Sequence, residues 1–323
     1  MFFARRKILR QRGVLGINRR NADFTLIYNK RRHYPRVDDK VLTKQLAQRA
    51  GVPVPELYQL VEFAGDVRKL HRLLAAHEDF VLKPAHGAGG EGILVIIGRM
   101  LEQYRSNNGR LLAADELEHH AFNVLSGMYS LRGQPDKAMI EYRVQFDPIF
   151  EAISFQGVPD IRIIVFFGVP VMSMIRLPTQ VSDGRANLHM GAIGVGIDLA
   201  TGLTRHGVSR DRIVSVHPDT GNKLSGVQIP HWESLLALAS RCYELTEIPY
   251  QGVDIVLDRE RGPLLLEINA RPGLNIQIAN TTGLLPRLQL VEEHSRSLTT
   301  PGERVAFAIS HFAAGEQKDW VAA

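Results

Sequence analysis

The chain has 323 residues, 45% of them apolar, so it can bury the cores of two or three domains under a formal charge of +5. Its one cysteine, Cys242, excludes an internal disulfide framework and any multi-cysteine zinc site, and packing is its expected role. No run approaches the roughly 18 uncharged apolar residues that span a bilayer, and the first residues lack an apolar stretch of signal-peptide length, so a soluble, cytoplasmic protein is expected.

The charge is uneven. Residues 1–36 hold eleven Lys/Arg against one acid, a net +10, which leaves −5 for the other 287 residues. A basic end on an acidic body suggests a binding arm or an anion-facing surface, with no nucleic-acid-binding body expected. Phe2, Phe3, Ile8 and Leu9 among Arg5, Arg6, Lys7 and Arg10 would form a short amphipathic helix. Such a helix suits a membrane surface or a partner protein, and equally suits packing on the body. Residues 14–34 show little periodicity.

Asp38 or Asp39 can cap a helix over 40–49, with Val41, Leu42, Leu46 and Ala47 on its buried side, stopped by Gly51 and Pro53. A second helix is expected over 67–76. Residues 80–83 form a short strand ending on Lys83, followed by a loop with Gly87, Gly89, Gly90 and Gly92, then a strand over 93–97. Glycines at this density let backbone N–H groups approach phosphate oxygens. No Gly-Lys-Ser/Thr follows, so this is not a P-loop. His119 and His120 lack ligand-spaced partners and are expected at the surface. The strand 138–144 carries Glu141, which could accept from an adenine amino group or simply face solvent.

The clearest hairpin joins 160–167 to 171–176 through Gly168-Val169-Pro170. With a three-residue loop, Arg162 faces Arg176, and two facing guanidiniums call for a bridging anion, a phosphate or carboxylate. A bulge would slip that register by one. Residues 184–196 are rich in small residues and place Asn187 and His189 on one face. A turn-dense β region over 197–230 and a helix over 232–245 follow.

A second hairpin pairs 253–257 with 264–268 around the turn 259–262. Counting outward sets Asp254 opposite Glu267, with Asn269 on the same face. Opposed carboxylates repel unless a cation lies between them, and hard oxygen ligands suit Mg²⁺. An ordinary acidic hairpin face is the alternative. Helices are expected near 276–290 and 303–312.

The order Asp39-Lys40, Lys83 with its glycine loop, Ile140-Glu141, Asp160-x-Arg162, Arg176, Asn187-Leu188-His189-x-Gly191, Gly252-Val253-Asp254 and Glu267-x-Asn269-x-x-Pro272-Gly273 resembles the ATP-grasp superfamily over about residues 36–280. The run 185–189 resembles RimK-type α-L-glutamate ligases, and the short basic N-terminus their α-L-glutamate ligase-like branch. The resemblance implies an α+β fold in which two subdomains grip ATP. It divides the chain into a basic arm (1–36) and an ATP-grasp domain (37–323). Within that domain lie a glycine-loop subdomain at about 80–145, a metal-binding subdomain at about 146–290 and a helical extension (291–323). It further implies that Lys40, Lys83 and the backbone of 87–92 hold the phosphates, with Glu141, Tyr142 and Val144 about the adenine. Asp254, Glu267 and Asn269 would hold Mg²⁺, two ions replaceable by Mn²⁺. Arg162 would bind the transferring phosphate or the acceptor carboxylate, Asn187 would help fix the phosphoryl group, and Arg176 would be a further catalytic residue.

Two departures stand out. Only about 36 residues precede the Asp-Lys element, where RimK-type ligases carry roughly one hundred, and Gly252 stands where some carboxylate–amine ligases have an arginine. Arg162 or Arg271 would then supply the missing charge. The implied activity joins an amino acid such as glutamate to a small-molecule or peptide acceptor through an acyl phosphate. An ATP-grasp kinase or a non-enzymatic ATP-binding partner are the alternatives.

Overall fold

The computed structural model describes residues 2–313 except 88, 131, 132 and 211, with side chains from residue 7 onward. The expectations for Ala88, for the side chains of Phe2, Phe3, Arg5 and Arg6, and for residues 314–323 lie outside the described residues. Among the described residues no helix is long and apolar enough to cross a membrane.

Two antiparallel sheets make the frame. In chain order the strands are β1 (Leu57–Val61), β2 (Phe80–Pro84), β3 (Leu94–Met100), β4 (Gln103–Ser106), β5 (Leu111–Leu112) and β6 (Ala138–Glu141) in the smaller sheet. The larger has β7 (Asp160–Phe166), β8 (Val169–Leu177), β9 (Ile193–Ile197), β10 (Thr204–Ser209), β11 (Arg212–Val214), β12 (Tyr250–Asp258) and β13 (Gly262–Asn269). Their spatial orders are β1-β6-β2-β3-β4-β5 and β11-β10-β9-β8-β7-β12-β13. The smaller sheet thus begins at Leu57, upstream of the expected boundary near residue 80.

Period-two alternation gives each sheet a dry face and a wet one. In β2, Phe80 and Leu82 enter a core with Leu117, Ala121 and Val124 of the helix Ala114–Leu125, while Val81 and Lys83 line a cavity. In β7, Ile161 and Ile163 join the large core, while Asp160 and Arg162 face the same cavity. The helices Trp232–Thr246 and Pro301–His311 cover the dry face of the larger sheet. Cys242 is buried there, and burial pushes its thiol up, as expected of a packing residue.

The helix Lys40–Arg49 forms as expected. Asp39 is its cap, accepting from Val41 N at 2.8 Å and Leu42 N at 3.1 Å, a contact worth about 1 kcal/mol. Two other helix expectations fail. Residues 67–76 break into the turns Ala64–Val67 and Leu70–Leu73, and 276–290 splits into Ile276–Ala279 and Leu285–His294. Between the last two, Thr281 at φ +46° ends the first turn, and Pro286 lies in the first turn of the second helix, where it lacks only an N–H that would be unpaired anyway.

The basic segment is not an arm throughout. From Leu15 onward it packs on the larger sheet, with Leu15 and Phe24 in the core. Phe24 meets Phe166 edge-on at 5.5 Å, and burial of such a ring is worth about 1.5–3 kcal/mol. Asn29 Nδ2 donates to Tyr250 O at 2.7 Å and its Oδ1 accepts from Tyr250 N at 2.9 Å, while Arg20 Nη1 donates to Pro272 O at 2.7 Å. This clamp holds the start of β12 and the chain beyond β13.

Candidate active site between the two sheets

A cavity of about 850 Å³ separates the wet faces of the sheets, within the usual range for ligand pockets. The smaller sheet contributes Lys83, Gly89, Gly90 and Glu141. The larger contributes Asp160, Arg162, Arg176, Asp254, Glu267 and Asn269, and Lys40, Val144, Asn187 and His189 also line it.

The β12–β13 hairpin pairs Asp254 with Glu267 as expected, by a different route. The loop is one residue tighter, with Asp258 opposite Gly262 at φ +69°, and a bulge at Leu266 restores the outer register. Asp258 builds the loop: its Oδ1 accepts from Glu260 N at 3.0 Å and Arg261 N at 2.9 Å. The β7–β8 hairpin departs further. Phe167 at φ +48° and Gly168 at φ +79° make a two-residue turn, the kind whose twist matches antiparallel strands. That turn alone would move the register by three residues; a bulge at Val171 takes one back, so beyond it the register moves by two. Asp160 faces Arg176, and Arg162 faces Met174. A two-residue shift preserves the face, so both arginines still point into the cavity.

The anion that bridges them is part of the chain. Arg162 Nε donates to Asp254 Oδ1 at 2.7 Å, and Arg176 Nη2 donates to Asp254 Oδ2 at 2.8 Å and to Asp160 Oδ2 at 2.7 Å. Burial favours neutral Asp254, but Arg162 and Arg176 outweigh it and hold the carboxyl below the usual range. Asp160 is pushed up to about 6 by burial, with Arg176 opposing and the Asp254 charge adding to the shift. The expected repulsion between Asp254 and Glu267 is therefore relieved by guanidiniums, without requiring a metal ion.

For Mg²⁺ the donor chemistry fits in part. Glu267 is half-buried at the cavity with Lys40 Nζ 3.8 Å away, and Asn269 stands beside it, so a carboxylate and an amide oxygen are at hand. Asp254 is engaged on both oxygens, also accepting from Asn269 Nδ2 at 3.2 Å.

Other expected residues divide sharply. Lys40 Nζ donates to Gly87 O at 2.6 Å, tying the glycine loop to the helix. Lys83 pairs with Glu141, whose other oxygen lies 2.8 Å from Lys44 Nζ. Glu141 is 2% exposed; the adenine expectation is corrected in that its carboxylate is committed to two lysines. Tyr142 does not line the cavity. Its hydroxyl donates to Asp258 Oδ2 at 3.0 Å and its ring lies 3.8 Å under the Arg261 guanidinium. Arg271 is exposed, over the Tyr34 ring at 5.1 Å, and does not line the cavity.

Within the glycine loop, Gly89 and Gly90 face the cavity, whereas Gly87 and Gly92 shape the backbone. A Cβ at Gly87 would meet Pro84 Cγ at 2.2 Å, and one at Gly92, where φ is +73°, would meet the Tyr129 ring at 2.5 Å. Asn187 Nδ2 donates to Gly89 O at 3.1 Å, so it spans the cleft, and its Oδ1 accepts from His189 N. His120 is half-buried, contrary to expectation, because its Nε2 meets Gly92 O at 3.0 Å. Lys44 was missed by sequence reasoning, although four residues after Lys40 it shares that residue's helix face; Asp160 carried only a motif position.

A family model described as sugar-transfer associated ATP-grasp matches residues 19–293. That description does not name the α-L-glutamate ligase branch expected from 185–189. A comparison with curated proteins finds no match. Among solved structures the chain is similar to pyruvate carboxylase of Rhizobium etli, at 14% identity and TM-score 0.50, covering 85% of this chain and 20% of that one. It is also similar to the ATP-grasp ligase PsnB, solved with minimal precursor, Mg and ADP (17%, TM-score 0.46, 83% and 62%), so the chain spans less than two thirds of PsnB. D-alanine–D-alanine ligase of Bacillus anthracis gives 14%, TM-score 0.45, 83% and 70%. At these identities the likeness is one of fold. With two antiparallel sheets about one cavity and a family match over most of its length, the chain belongs to the sugar-transfer associated ATP-grasp family.

Proposed function

We propose that this protein is an ATP-dependent carboxylate–amine ligase. The observation that carries the reading is the confrontation across one cavity of Lys40, Lys83 and a glycine loop with the Arg162, Arg176, Glu267 and Asn269 face of the other sheet. On this reading Lys40, Lys83 and the N–H groups of Gly89 and Gly90 bind ATP phosphates, with Val144 against the base. A substrate carboxylate oxygen attacks the γ-phosphorus, and the bond to the ADP oxygen breaks. An amine then attacks the acyl carbon, phosphate leaves, and the amine proton passes to solvent or phosphate. Arg162 and Arg176, desolvated and held by Asp254 and Asp160, present fixed positive charge to the transferring group, so little reorganisation is needed.

Glu267 and Asn269 would hold Mg²⁺, with Asp254 as a third ligand through the lone pair its arginines leave open on Oδ1. Bound there, the ion would neutralise phosphate charge. The family description favours an acceptor handled in sugar transfer; an amino acid such as glutamate is the proposed amine donor.

The test is ADP release measured against carboxylates, amino acids and sugar-linked acceptors, with product mass spectrometry. ADP release that requires both a carboxylate and an amine, with a new amide mass, supports the reading. A phosphorylated alcohol with no amine dependence would overturn it in favour of a kinase.

A further inference from the structure

We propose that the outer side of residues 17–32 is a docking surface for an anionic lipid bilayer. The inner side of this segment is committed: Phe24, Thr25, Asn29 and His33 are buried, and Asn29 is hydrogen-bonded to Tyr250. The outer side is therefore presented on a fixed support. Three aliphatic side chains stand on it in water, Ile17 at 62%, Leu26 at 68% and Ile27 at 63% exposure.

The charge beside them is unbalanced. Lys30, Arg31 and Arg32 are exposed and make no ion pair among the described residues, Arg32 Nε donating to His33 Nε2 at 2.9 Å. Elsewhere many surface cations are matched, as in Arg36–Glu247, Arg143–Asp79 and Arg261–Glu56. Ile27 and Lys30 are three residues apart, so their Cα atoms lie within about 11 Å. Leu26 and Ile27 therefore share one patch with Lys30 and Arg31.

That combination selects its partner. Leu and Ile side chains can enter the acyl boundary while Lys and Arg stay among anionic headgroups, the division by which interfacial segments bind. Single-stranded nucleic acid would find no aromatic platform in the exposed set. The distribution of charge, +10 over residues 1–36 against −5 over the rest, orients this end toward a negative surface before contact.

The experiment is co-sedimentation of the full chain with vesicles of phosphatidylcholine alone and of phosphatidylcholine mixed with phosphatidylserine. The expected result is binding to the mixed vesicles only, weakened by salt. Leu26→Glu with Ile27→Glu should lower the partition coefficient at least about tenfold, and Lys30→Ala with Arg31→Ala should lower it by a similar factor. Thermal melting of each variant checks that its fold is retained; if the Glu pair unfolds the chain, Leu26→Ser with Ile27→Ser replaces it. Equal binding to both vesicles, or none to either, overturns the proposal. Binding that the aliphatic substitutions leave unchanged also overturns it, since it would be electrostatic adsorption alone.

Discussion

Glu141→Gln tests the electrostatics beneath the cavity. Lys44 and Lys83 are each 6% exposed and Glu141 2%, so the isosteric change leaves two buried cations without their counter-charge. Removing one partner of a buried ion pair costs about 3–5 kcal/mol, which for a chain of this size lowers the melting midpoint by about 4–7 °C. The pH dependence gives a second readout. In the wild type, burial favours the neutral carboxyl of Glu141, but Lys83 and Lys44 outweigh it and the net shift is downward. Its contribution is therefore complete above the unfolded value, about 4.3, and is lost as pH falls through the lower folded value. In the variant the controlling group is Lys44. Burial already lowers it, Glu141 partly offsets that, and without Glu141 it falls further below the unfolded value of about 10.4. The unfolded chain then binds more protons between those two values, so the variant gains stability relative to wild type as pH rises through that window. Thermal melts at neutral and alkaline pH measure both effects. An unchanged midpoint, or a deficit that does not shrink on going alkaline, would refute the reasoning.

Other positions carry sharper contrasts. Arg162→Ala should reduce turnover at least about 100-fold, as for loss of a transition-state donor, whereas Arg271→Ala, outside the cavity, should change it less than about threefold; equal effects would sink the assignment. Asp254→Asn and Glu267→Gln should both abolish Mg²⁺-dependent ADP release, and unchanged release would reject the metal assignment. Gly92→Ala forces a side chain to φ +73° against Tyr129, at about 1–3 kcal/mol of strain, and should weaken ATP binding in calorimetric titration. Gly16→Ala, with open space around it, is the matched control. Asp39→Ala should cost about 1 kcal/mol in denaturant unfolding through loss of the helix cap.

Features governed by neighbours in the chain were legible. Asp39 caps the helix Lys40–Arg49 through contacts two and three residues away, and alternation alone puts Asp254, Glu267 and Asn269 on one face. The face occupied by Arg162 and Arg176 survived even a register error, because a two-residue shift leaves side-chain parity intact. The pairing partner did not survive it. The turn at Phe167 and Gly168 together with the bulge at Val171 decided that Asp160 would face Arg176.

By itself, then, the sequence determined the two hairpins, the helix Lys40–Arg49, the faces of their side chains and the residue types gathered at the cavity, since these follow from local periodicity and turn chemistry. Only the tertiary structure decided which charges neutralise one another. Asp254 meets Arg162 across 92 positions, Lys44 meets Glu141 across nearly a hundred, and Asn29 reaches Tyr250 across 221. Such pairings depend on how strands add to a sheet and how a segment without periodicity packs, and neither is encoded in the spacing of nearby residues. For that reason the hairpin expected to gather a metal ion is balanced by arginines, and much of the segment read as a basic arm holds the larger sheet in place.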